Sequence, residues 1–494
     1  MVHIVEEEPV VIDHLRLRGL ERSLGTGTAR SWKFWSLPVS APPVGPLRFA
    51  APQPAPEWSG IREATRPGPT PQRRPLAEVT GIPEPSYPGE DTLTATVCTP
   101  SLDPSARLPV LVWIHGGGYK GGSPASPWYD GAAFTRDGIV TVALSYRLGF
   151  EGFGAIPGCP TNRGLLDQIA GLEWVRRSIT AFGGDPDAVT IAGQSAGGGS
   201  VLALAASPAA RGLFRGVIAV SPAFAPASAA EARELTDRLA AIVGVHNDRE
   251  AWQGVDEEVI LDAAAQLEGE LAPSGLTPED RGAALIDVDY GTSRSFGPSV
   301  EDGIIPENWI ADLADVPLMI GSTAHEFTSF GHVLVPPDGQ DRIDATVRER
   351  LGTVADLIER DLAGTAEAGF IAGQLLTIGI FRGPVVDVAD AHERTWVYDY
   401  RVPDTRTGLA EHCMDVPAIF DCLDHPHVAH TCGPDVYPDV AADIHAAWVR
   451  FIREGEPGWQ PWNRDGRARV WRPDGGEVAA AYATERALRE RQAR

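Results

Sequence analysis

Chemistry enters the sequence at Gly193-Gln194-Ser195-Ala196-Gly197, which follows the apolar run Ala188-Val-Thr-Ile-Ala192 and precedes Gly198, Gly199, Ser200 and the helix-forming Val201-Leu-Ala-Leu204. A β-branched run that breaks into small residues and resumes as a Leu/Ala-rich segment predicts a strand turning sharply into a helix, with the serine at the turn. An ordinary glycine-rich turn has the same composition, so the motif needs partners. A serine hydroxyl is a weak nucleophile. It needs a base to take its proton, a carboxylate to orient that base, and donors for the oxyanion that forms. His115-Gly116-Gly117-Gly118 directly follows the apolar run Leu108–Ile114 and supplies a loop in which glycine N–H groups can approach a bound carbonyl. A phosphate loop is the rival reading, but no Gly-Lys-Ser/Thr follows at the required spacing.

These segments have to be carried by something. Leu108–Ile114, Gly138–Leu144, Ala188–Ala192, Gly216–Ser221, Val316–Gly321 and Thr395–Tyr400 read as buried strands. Gly164–Ile179, with Leu165, Ile169, Leu172, Val175 and Ile179 at helical spacing, and Asp439–Glu454 read as amphipathic helices. Strands alternating with helices predict an α/β architecture, a largely parallel sheet with helices on both faces. Residues 225–315 and 340–390 lack the strand rhythm and are expected to be helical insertions capping the sheet within a single domain, 1–494. Residues 1–100 mix short β-like pieces with proline-rich coil, and Asp91–Thr99 alternates like an edge strand. The Ala-Glu-Arg-rich stretch from Ala479 reads as a frayed surface helix.

Composition narrows the partners. Formal net charge is -25, from 67 acidic and 42 basic residues, which argues against nucleic-acid or anionic-membrane binding. No apolar run approaches the roughly 18 residues of a membrane span, and the N-terminal acidic cluster is unlike a secretory signal. The five cysteines fit no Cys-x-x-Cys pattern. The expectation is a cytoplasmic, disulfide-free protein, with monomer and homodimer both open. Cys422-Leu-Asp-His425-Pro-His427-Val-Ala-His430-Thr-Cys432 has zinc-binding residue types at no zinc-finger spacing, and is read as a surface loop without metal.

Further blocks make the chain resemble the type B carboxylesterases, the family that includes bacterial para-nitrobenzyl esterases and cholinesterases. Pro42–Phe49, Glu90-Asp91, Trp113–Gly118, Ser145-Tyr-Arg-Leu-Gly149, Gly164-Leu-Leu-Asp-Gln168, Phe182-Gly-Gly-Asp-Pro186 and the serine turn resemble family signatures in family order. The resemblance implies an α/β-hydrolase fold, no cofactor and a serine–acid–histidine order along the chain. It implies Glu326, in Ile320-Gly-Ser-Thr-Ala-His-Glu326, as the acid; the adjacent His325 comes too early in the chain to be the base. It implies His412, in Gly408-Leu-Ala-Glu-His412-Cys-Met-Asp415-Val-Pro417, as the base. The oxyanion donors would be the N–H groups of Gly117, Gly118 and Ala196, with Ser221 behind the triad and Arg48–Glu90 and Arg147–Asp167 as structural ion pairs. Two departures stand out. Gln194 is neutral where the family often has glutamate, and Pro71 and Thr92 replace the family's early disulfide. The segment between them has no tryptophan, so cationic choline esters are disfavoured.

The resulting expectation is a serine esterase for small, neutral, fairly apolar carboxylic esters, with Tyr119 and Phe224 as candidate pocket walls. Aryl carbamates or anilides are the nearest alternative substrates. A lipase with an apolar lid and a non-catalytic cholinesterase-like binding protein complete the alternatives.

Overall fold

The structure, a computed structural model, describes residues 4–492 except 26–28, 77–79, 272–294, 302, 336–339, 363–366, 436 and 464. Residues 272–294 and 302 of the first expected insertion and residues 363–366 of the second lie outside the described residues.

Among the described residues thirteen strands form one sheet. They are β1 Ile4–Ile12, β2 Leu17–Leu24, β3 Ala29–Pro38, β4 Arg62–Glu63, β5 Thr94–Thr99, β6 Leu108–Ile114, β7 Val140–Leu144, β8 Gly184–Gln194, β9 Gly216–Val220, β10 Leu318–Thr323, β11 Thr395–Tyr400, β12 Arg467–Arg472 and β13 Gly475–Ala480. Their order is β1-β2-β3-β5-β7-β6-β8-β9-β10-β11-β12-β13, with β4 on β2. From β7 to β12 every pairing is parallel. Antiparallel strands finish both sides.

The parallel strands are apolar on both faces because both faces are covered. Along β6, Val110, Val112 and Ile114 enter one core while Leu111 and Trp113 enter the other. The same alternation sends Val217 and Ala219 of β9 one way and Ile218 and Val220 the other. A third apolar cluster lies within the helices of residues 340–378, built on Val347, Ile358, Ile371 and Leu375.

Several expectations are corrected. Asp91–Thr99 holds an interior strand, since β5 is flanked by β3 and β7. Where short β-like pieces and coil were expected, residues 4–38 hold three long strands, β1, β2 and β3, paired antiparallel. The terminal helix, Ala483–Gln492, is docked: Glu485 is 1% exposed and pairs with Arg382. Among the described residues, 368–391 form a helix, with a π-helical turn at Ile378–Arg382, long and apolar enough by length and composition to cross a membrane, though Gln374, Arg382 and Pro384 break its apolar run in the sequence; most of it is buried within the protein. Arg48 pairs with Glu151 at 2.7 Å, not with the exposed Glu90, and also donates to the carbonyl of Val255. The Arg147–Asp167 pair is present, bidentate at 2.7 and 2.8 Å and almost wholly buried.

Candidate active site

Strands β6 and β8 are adjacent and parallel, with Ile114 opposite Gly193, so the segments leaving their carboxyl ends emerge side by side. This is where strand order reverses, with β7 on one side of β6 and β8 on the other, and such a switch point opens a crevice above the sheet.

Ser195 sits between β8 and the helix Ala196–Ala206 with φ 59° and ψ -122°, a sparsely populated conformation for a non-glycine residue. Surrounding contacts over-determine it: its N–H donates to Val220 at 2.9 Å, and its carbonyl accepts from Gly199 and Ala223. Gly197 has to be glycine, since a Cβ there would stand 2.1 Å from the carbonyl oxygen of Ile114. The buried helix behind the serine directs its positive N-terminal end at the hydroxyl.

On the neighbouring loop Gly117 has φ 111° and Gly118 φ 59°. A Cβ on Gly117 would lie 2.3 Å from the carbonyl carbon of Gly121. No hydrogen bond among the described residues uses the N–H of Gly117, Gly118 or Ala196. His115 is buried, stacks on Tyr146 at 4.7 Å and has its pKa lowered to about 4 by burial, so it is neutral.

The acid and the histidine come from loops. Glu326 follows β10; Oε1 accepts from the N–H of Thr323 at 2.8 Å, and Oε2 pairs with His412 Nδ1. The His412 N–H donates to the Glu326 carbonyl at 3.0 Å, so main chain and side chains both join the two loops. Helix Ala368–Thr377 holds the acid loop: Gln374 donates to Ala324, Thr328 donates to Gln374, and the Phe327 N–H donates to Thr377 Oγ1. Beyond it, buried Arg382 donates to the Thr323 carbonyl and pairs with Asp399 and Glu485. His325 accepts from the N–H of Ala410 at Nδ1, so its Nε2–H donates to Asp361; burial lowers its pKa to about 4, and it is a neutral staple.

Burial opposes a charge on His412, yet Cys413 and the Glu326 carboxylate hold its pKa well above the ordinary histidine range. Its Nε2 lies 3.0 Å from Gln194 Nε2, and among the described residues the ring makes no hydrogen bond to Ser195. Phe381 tilts against the imidazole at 4.7 Å and Phe327 meets it edge-on at 5.2 Å. Asp415, behind the pair, has its pKa raised to about 7 by burial and by Glu326, and accepts from Tyr398.

The structure therefore brings Ser195, Glu326, His412, Gln194 and the glycine loop to one end of the sheet. Ser221 is at the end of β9 with φ 43°, but its hydroxyl has no hydrogen bond to the acid or the histidine. Tyr119 and Phe224 are buried in the core, edge-on to Phe153 and Trp309 respectively. Phe327, Phe381 and Cys413 were not singled out in the sequence. Phe327 borders Glu326 and Cys413 borders His412, a positional signal; Phe381 has none, because the π-helical turn that presents it carries no sequence mark. The five cysteines are free thiols. Among the described residues no group of three His, Cys, Asp or Glu side chains could hold a metal, the Cys422–Cys432 segment included.

The sequence model of the carboxylesterase family matches residues 7–473. The para-nitrobenzyl esterase of Bacillus subtilis (strain 168) is 32% identical over 455 residues, covering 86% of both chains. The phenmedipham hydrolase of Pseudarthrobacter oxydans is 33% identical over 449 residues, again covering 86% of each. Among solved structures, a Geobacillus stearothermophilus carboxylesterase superposes with a TM-score of 0.77 at 28% identity, over 96% of this chain and 98% of the other. A thermophilic para-nitrobenzyl esterase gives 0.76 at the same identity and coverage. By its match to the family model and to these relatives, with which the serine turn, the glycine loop and the carboxylate-bound histidine at one sheet end agree, the chain belongs to the carboxylesterase family and is a carboxylic ester hydrolase of the α/β-hydrolase fold.

Proposed function

We propose that the chain cleaves small, neutral, fairly apolar carboxylic esters through an acyl-enzyme on Ser195. The observation that carries this reading is the Glu326–His412 pair, held by main-chain and side-chain contacts at the same sheet end as the strained serine. Ser195 Oγ attacks the acyl carbon as His412 Nε2 takes its proton. Glu326 fixes the tautomer with Nδ1–H and stabilises the imidazolium. The N–H groups of Gly117, Gly118 and Ala196 receive the oxyanion, each donor contributing about 2.7–4 kcal/mol to the transition state. The C–O bond of the tetrahedral intermediate breaks as the imidazolium returns the proton to the departing alcohol. Water, deprotonated by the same histidine, then releases the acid.

The surroundings favour an uncharged substrate. Gln194 adds no charge beside the nucleophile, and the imidazole is bordered by the phenyl rings of Phe327 and Phe381, with Phe330 beyond Phe327 half exposed. A second reading, hydrolysis of aryl carbamates by the same attack, is favoured by the relative named phenmedipham hydrolase.

Hydrolysis of para-nitrophenyl esters from acetate to decanoate, with a phenyl carbamate and an anilide alongside, tests both. Wild type is expected to turn over the short and medium esters, and Ser195→Ala to lose roughly 10⁴-fold or more in kcat. Retained turnover in folded Ser195→Ala overturns the serine mechanism. A carbamate rate above every ester rate replaces the first reading with the second.

A further inference from the structure

The contact that the proposed chemistry leaves unused is on the Nε2 side of His412. Nε2 is the atom that has to receive the serine proton, and it faces the carboxamide of Gln194 at 3.0 Å instead of the hydroxyl. That carboxamide is itself held in place. Its nitrogen also donates to Cys413 Sγ at 3.2 Å, the side chain is 1% exposed, and a Cβ on Gly116 would stand 2.9 Å from its oxygen. It is thus wedged between the oxyanion loop and the imidazole. Cys413 reaches it from a left-handed backbone conformation, φ 72°, which a non-glycine residue adopts at a cost.

With Nδ1–H committed to Glu326, the only lone pair of the neutral ring is at Nε2, and Gln194 occupies it. We propose that Gln194 is a positioning residue that parks His412 away from Ser195, so that exchange of Nε2 from the carboxamide to the serine hydroxyl is a step of every acylation. The proposal rests on the Ser195–His412–Glu326 reading. In that step the Gln194–His412 hydrogen bond breaks and a Ser195–His412 hydrogen bond forms; the proton moves from Oγ to Nε2 afterwards. A carboxamide suits the role because it serves either charge state of the ring: its NH₂ donates to neutral Nε2, and turned over its oxygen accepts from the imidazolium. A glutamate at this position accepts only. It would place a second carboxylate on a ring that already faces Glu326, Cys413 and Asp415, and would favour the imidazolium, which is useless as a base.

The test is pre-steady-state acylation by para-nitrophenyl acetate between pH 5 and 9, in wild type, Gln194→Leu, Gln194→Met and Gln194→Glu. A serine-directed phosphonate is first used to count sites and locate the label by mass spectrometry. Parking predicts that the Leu and Met variants acylate at least about threefold faster than wild type on the alkaline plateau, with KM unchanged. Gln194→Glu moves the acid limb upward by one pH unit or more, losing about tenfold at pH 7 and regaining it by pH 9. Apolar variants that acylate no faster than wild type, or a glutamate variant slowed equally at every pH, overturn the parking role while leaving the triad standing. Wild type left unlabelled at Ser195 overturns the triad reading and the proposal with it.

Discussion

The two halves of the site are built on different principles. Ser195 follows β8 directly and the glycine loop leaves the adjacent β6 just beyond Ile114, and their geometry is dictated by close backbone contacts at Gly117 and Gly197. Glu326 lies as near to β10 as Gly117 does to β6, and only His412 rides on a long connection, after β11; both are placed by side chains from elsewhere: Gln374 and Thr377 from one helix, Arg382 beyond it, and Glu485 from the last helix. One half is rigid through backbone sterics. The other is a polar assembly, whose strength depends on every partner being present.

That contrast can be broken by substitutions of decreasing severity. In the assembled half, Glu326→Gln should leave the main-chain bond to His412 intact and lower kcat by roughly 10⁴, since the imidazole loses both its tautomer and the charge that stabilises its cation; steady-state kinetics decides it. Arg382→Met should leave Glu485 uncompensated and Asp399 with Arg401 alone, costing about 3–5 kcal/mol of stability by denaturant titration. The strand-borne half should respond through its backbone: Gly117→Ala forces a Cβ against the Gly121 carbonyl at a positive φ, displaces the loop and removes an oxyanion donor, costing ~2.7–4 kcal/mol in kcat/KM together with a lowered denaturation midpoint. If Gly117→Ala keeps both the wild-type midpoint and the wild-type rate, the division between the halves is wrong.

The smallest effect concerns pH. In the proposed mechanism His412 takes the serine proton only when neutral, and its pKa is raised, so kcat/KM should fall as pH drops through a value above the ordinary ~6.5. Phe381→Leu removes a ring face that favours the imidazolium by ~0.5–2 kcal/mol. The acid limb of the kcat/KM profile should therefore move to lower pH by about 0.4–1.5 units, and Phe381→Tyr should restore it.

Legibility followed the same division. The serine turn and the strands of the parallel core were readable because a glycine requirement and a doubly buried strand both leave local marks. β5 was misplaced at an edge because β1 is rich in exposed glutamate and β3 ends in proline, so neither has the apolar alternation of a half-buried strand. Glu326 and His412 were reached through resemblance alone, since no local pattern says that two loops 86 residues apart will meet. The partner of Arg48, the docked Glu485 and the ring of Phe381 were beyond reach for a related reason: each depends on tertiary packing between distant segments.

The outermost strand has a consequence for how molecules meet. β1 offers the next molecule a free row of backbone groups, the usual seed for strand-by-strand growth. Along that row stand Glu6, Glu7 and Glu8, followed by Pro9, all exposed. An approaching copy would bring the same three carboxylates and the same missing N–H, so pairing of two copies edge to edge through β1 is disfavoured.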